Sequence, residues 1–135
     1  MAQTQETLIY IHSALRWLIL SLAVFGTARS FVSMLSVSAR FSRLDLGVSR
    51  AYAILFDVQL LVGILLVLAA LTLLQPVPWI HPIVMVPAVV IAHLSRRFVT
   101  RPDRKRHQAQ LVIYLGSLVL IVIGLAVIGQ LALPR

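Results

Sequence analysis

The sequence predicts an all-helical integral membrane protein, four transmembrane helices in one up-down bundle spanning residues 1–135. Three observations carry this. The chain is 60% hydrophobic and only 12% charged, more apolar side chain than a soluble domain of 135 residues can hide from water. Four apolar stretches each approach the roughly 20 residues that cross a bilayer's hydrocarbon. The basic residues collect between those stretches rather than spreading along the chain.

The first span covers about 8–28, interrupted by His12, Ser13, Arg16 and Ser21. A serine-diluted apolar pattern continues beyond Arg29 through Phe31, Val32, Leu35 and Val37. With Glu6 in place of a basic leader and Arg16 inside the apolar run, this segment reads as a mature helix rather than a signal peptide. The second span covers about 51–74, with Asp57 and Gln59 near its start and Gly63 near its middle. Gln75-Pro76-Val77-Pro78 ends it, because the residue before a proline is pushed out of the helical region. The third span, about 79–98, holds His81, Pro82, Pro87 and His93. Pro82 suits a first helical turn, whereas Pro87 should kink the helix or free a carbonyl. The fourth, about 109–131, holds no charged residue and no histidine and reads as the most lipid-like, with Gly116, Gly124 and Gly129 as close-packing points.

The formal net charge of +8 would point to nucleic acid in a soluble chain, but here it has a different cause. Loop one carries Arg29, Arg40, Arg43 and Arg50 against Asp45, and loop three carries Arg96, Arg97, Arg101, Arg104, Lys105 and Arg106 against Asp103. The loop near residues 75–80 has no charge. Basic loops stay cytoplasmic, so both termini and the second loop are expected on the outer side, and no nucleic-acid partner is expected. The absence of cysteine excludes disulfides, thiolate metal sites and iron–sulfur clusters in this chain, leaving histidine as the strong transition-metal ligand.

Ionisable residues inside a membrane are costly and mark candidate sites. His12 and His81 should differ in depth by only ~3 Å. Helices one and three of an up-down bundle face each other across a diagonal of roughly 13 Å, wide enough for a porphyrin between two imidazoles. The pair therefore fits a bis-histidine b-type haem; it equally fits two interfacial histidines that bond to backbone carbonyls. Arg16, one turn from His12, is suited to a haem propionate or to a structural ion pair. Gln59 and Gly63 share a face of the second helix, where glycine admits a flat ring or another backbone. Met85, one turn from His81, is an alternative ligand or core. Asp57 and His93 form a second level, able to carry protons, hold a quinone carbonyl or satisfy each other. His93 lies about 18 Å along the helix from His81, so the two cannot share one iron. No nucleophile–base set and no phosphate-binding glycine loop is present, so the chain is not expected to be catalytic alone.

The runs His12-Ser13-Ala14-Leu15-Arg16-Trp17, Gln59-Leu60-Leu61-Val62-Gly63 and His81-Pro82-Ile83-Val84-Met85 resemble a group of small bacterial four-helix membrane proteins labelled cytochrome b-like. A basic segment before the last helix and the ending Leu133-Pro134-Arg135 are similar too, whereas Asp57 and His93 lie outside these motifs. The resemblance implies haem b on His12 and His81 and a place in the bacterial cytoplasmic membrane. It implies electron transfer, with quinone as a further cofactor, inside a larger respiratory or photosynthetic complex. The competing expectation is a cofactor-free accessory subunit of such a complex.

Overall fold

The computed structural model describes residues 2–129, which form four α-helices and no strand. They are α1 (Ala2–Leu35), α2 (Arg43–Thr72), α3 (Ile80–His93) and α4 (Asp103–Val127), with a 3-10 turn, Leu94–Phe98, closing α3. The last residues of the expected fourth span and the Leu133-Pro134-Arg135 ending lie outside the described residues.

Three helices, α1, α2 and α4, are long and apolar enough to cross a membrane. The third expected span, 79–98, is divided. α3 has 14 residues, a rise of about 21 Å against about 30 Å of hydrocarbon, and the remainder of the span is the 3-10 turn. α3 runs unbroken through Pro87 and instead gives way at Leu94. Pro102 disfavours helix at Arg101, and a tightened 3-10 turn is a common way for a helix to end.

α1 and α2 extend well beyond the predicted spans. α2 starts at Arg43, eight residues before residue 51, because Ser42 and Asp45 form a capping box. The Ser42 hydroxyl accepts from the Asp45 amide at 3.3 Å, and the Asp45 carboxylate accepts from the Ser42 amide at 2.7 Å. Arg29, near the end of α1, donates to the same carboxylate and, at 3.0 Å, to the Ser42 hydroxyl. Residues that read as a charged loop are thus helix ends, and the true linker is only 36–42. At its far end α2 stops on Leu74, whose φ of 54° is left-handed, just before Pro76.

Each helix packs against its sequence neighbours, and α1 closes on α4, so α1 and α3 oppose each other across the bundle. The core rests on aromatic rings set against small side chains. Tyr52 makes edge-to-face contacts with Phe56 and Tyr114, both at 5.0 Å between centroids, while Ala23, Ala88 and Ala92 are buried around them. Gly26 makes room for Tyr114: a Cβ there would stand 2.5 Å from the ring. Most large apolar side chains outside this core are exposed, as a lipid-facing surface requires, among them Val24, Phe31, Val32 and Val112.

α4 corrects an expectation. Its apolar window is 39% buried, against 11% for those of α1 and α2. Packed against both α1 and α3, it is the most buried of the three long helices, and its polar residues point inward: Gln110 bonds Ser49 at 2.8 Å and Ser117 meets Tyr52 at 2.6 Å. Sparse polarity read as lipid exposure, but those few polar groups are the ones that had to be buried and paired.

Candidate functional site

The bundle divides into a basic end, where α1 leads to α2 and α3 to α4, and a far end, where α2 leads to α3. Near the far end the structure brings His12 and His81 together across the diagonal. Their ring centroids are 6.3 Å apart and their planes are inclined by 69°. The two rings are not hydrogen-bonded to each other. His81 Nδ1 is 3.0 Å from the Gly124 carbonyl, an acceptor, so Nδ1 carries the proton and the ring's lone pair lies on Nε2. His12 Nδ1 is buried with no hydrogen-bond partner.

The neighbours of the pair come from the other two helices. On α2, Gln59 donates from Nε2 to the His12 carbonyl at 3.0 Å, while its Oε1 is buried without a partner. Gly63, one turn on, faces the His12 ring: a Cβ there would lie 3.6 Å from His12 Cε1. On α4, a Cβ at Gly124 would lie 3.4 Å from His81 Nδ1 and 2.8 Å from the Met85 methyl. Glycines thus flank both imidazoles, from opposite sides of the bundle. Arg16 is half-buried, with its guanidinium carbon 5.6 Å from the centre of the Trp17 ring.

Two imidazoles that bind one metal from opposite sides, each through a bond of ~2.0 Å, have ring centres roughly 6 Å apart. The observed spacing matches this. A backbone carbonyl on the distal nitrogen of one ring is the usual way such a ligand is oriented. Two imidazoles are the donor type a bis-histidine haem would take, and their centroid spacing is compatible with one. Among the described residues no three His, Asp or Glu side chains converge as a multidentate metal site.

Asp57 and His93 also meet, with His93 Nε2 2.7 Å from Asp57 Oδ1 and the two side chains 27% and 52% exposed. They join α2 to α3 closer to the basic end, as a separate pair. At the basic end itself the Arg29–Asp45–Ser42 cluster ties α1 to α2. His107, which the sequence places within a charged loop, is instead fully buried in the first turns of α4 with its ring 5.0 Å from Phe41; neither of its nitrogens has a partner.

The sequence marks Gly124 as a close-packing point, which the structure bears out, but not its carbonyl as the partner of His81, and it does not single out His107. A carbonyl acceptor leaves no mark on residue identity, and His107 falls between the expected third and fourth spans, whereas α4 starts at Asp103. Comparison of the chain with protein-family models, curated proteins and solved structures finds no match.

Proposed function

We propose that this chain is a haem-b-binding membrane subunit for electron transfer, acting within a larger respiratory or photosynthetic complex of the bacterial cytoplasmic membrane. In this reading it is an up-down bundle with both termini outside the cytoplasm, the orientation favoured by its two basic connections. The observation that carries the proposal is the diagonal pair His12–His81, 6.3 Å between centroids, flanked by glycines of the other two helices.

His12 and His81 would hold the haem iron. The Gly124 carbonyl holds the His81 proton on Nδ1 and so presents Nε2. Gln59 fixes the backbone at His12. Gly63 keeps side-chain bulk away from the His12 ring, and Arg16 offers positive charge for a propionate. Bound haem supplies a one-electron couple whose potential follows its ligands, hydrogen bonds and burial. Asp57 and His93, paired and partly exposed, are suited to moving a proton or holding a quinone carbonyl. The resemblance to cytochrome b-like proteins supports the same assignment.

The test is a reduced-minus-oxidised visible spectrum of the protein purified in detergent with haem supplied during expression. A b-type band should appear, vanish in His12→Ala and in His81→Ala, and survive in Asp57→Asn. A folded wild-type protein that carries no porphyrin rules the proposal out.

One observation favours the second reading, a cofactor-free accessory subunit. The Met85 methyl fills the space beside Gly124 and His81, as core packing does. In that case native purification should recover the chain in fixed ratio with larger membrane subunits and without porphyrin.

A further inference from the structure

A cavity of about 410 Å³ opens at the basic end, between the first turns of α2 and α4 and the 3-10 turn after α3. That volume falls within the roughly 300–1,000 Å³ of small-molecule sites. Its polar lining is one-sided. Arg50 comes from α2, Arg96 from the 3-10 turn and Arg106 from α4, and no carboxylate lines it. Arg106 stacks over the Phe41 ring, its guanidinium carbon 3.8 Å from the centroid. Gln110 also lines the cavity; it is 6% exposed, spends its amide NH2 on Ser49, and has a buried Oε1 with no partner. Ile54 and Val99, which complete the rim, are themselves 58% and 53% exposed, so the cavity is continuous with the apolar outer surface.

We propose that this cavity binds the headgroup of an anionic phospholipid such as phosphatidylglycerol. Arginines from three separate elements line the cavity, an excess of positive charge that favours an anionic headgroup, with Arg106 also 4.0 Å from Asp103. The exposed apolar rim gives the acyl chains a path along the bundle. Basic pockets between helices on the cytoplasmic side are where anionic headgroups lodge in membrane proteins. The site is independent of the histidine pair at the far end.

Native mass spectrometry of the detergent-solubilised protein tests this, with phosphatidylglycerol, phosphatidylcholine and soluble glycerol 1-phosphate titrated in parallel. One phosphatidylglycerol per chain should be retained in preference to phosphatidylcholine, and glycerol 1-phosphate at equal concentration should not displace it. Replacing Arg50, Arg96 and Arg106 by Gln should weaken retention about fivefold per arginine. The matched set Arg40→Gln, Arg101→Gln, Arg104→Gln lies outside the cavity and should change it by less than about twofold. If the triple cavity variant does not fold, Arg96→Gln alone, at an exposed residue, carries the measurement. Equal losses in the two sets overturn the proposal in favour of diffuse surface charge. Equal retention of the two lipids overturns it outright, and displacement by glycerol 1-phosphate reassigns the cavity to a soluble phosphate.

Discussion

The two polar clusters that tie α1 to its neighbours, one at each end of the bundle, are built on opposite principles. At the basic end Arg29, Asp45 and Ser42 close on one another: a guanidinium, a carboxylate, a hydroxyl and a helix N-terminus all find partners. At the far end His12 and His81 approach without bonding, and His12 Nδ1 and Gln59 Oε1 are left buried and unpartnered. The first cluster accounts for itself as structure. The second leaves buried polar atoms without partners, and with its paired imidazoles is the candidate site.

Stability measurements can break this contrast. The largest effect is expected from Asp45→Ala, which removes the carboxylate partner of Arg29 and the capping box together. It should cost about 3 kcal/mol, read as a lowered unfolding midpoint in detergent by circular dichroism. Arg29→Gln should lower stability too, and the double variant should cost less than the sum of the two singles. Next comes Gly26→Ala, whose methyl would meet the Tyr114 ring; an overpacking loss of about 2 kcal/mol is expected in the same assay. His12→Leu is the decisive contrast. In protein without haem it should change stability by no more than about 1 kcal/mol, or raise it, because it deletes an unpartnered buried nitrogen. A loss as large as that of Asp45→Ala would show that the histidine is structural and erase the distinction between the two ends.

How much of this was legible in the sequence follows the same division. Apolar stretches and loop charge announced the helices, since lipid exposure imposes composition directly. Helix limits were harder. Arg29 and Arg43 looked like loop residues, and only the Ser42–Asp45 spacing held the clue to an earlier start. The third span was misjudged because hydropathy does not register the change from α to 3-10 geometry at Leu94. Inter-helix partners were legible only as depths. His12 and His81 could be set at one level by counting residues. Nothing in residue identity could place the Gly124 carbonyl on His81, or turn Gln110 and Ser117 of α4 inward.

The smallest predicted effect sits at the far end of α2. Leu74 holds a left-handed backbone that glycine adopts freely, and its side chain is 94% exposed, so it contributes little packing. Leu74→Gly should raise the unfolding midpoint slightly, by about 0.5 kcal/mol in stability. A loss there would show that the leucine side chain is held by contacts in the membrane.

The Tyr52–Ser117 contact has a direction. Ser117 lies 2.7 Å from the Ile113 carbonyl, to which only its single hydroxyl proton can be given, so at 2.6 Å from Tyr52 it receives the phenol's proton. The two partners are therefore unequal in what they can lose. Phenylalanine at 52 leaves the serine still bonded to its own helix, whereas alanine at 117 leaves a phenol buried with nowhere to donate. A lineage carrying this fold can shed the tyrosine hydroxyl first and the serine afterwards. Losing the serine first is therefore the costlier order, by the roughly 1–3 kcal/mol of an unsatisfied buried donor.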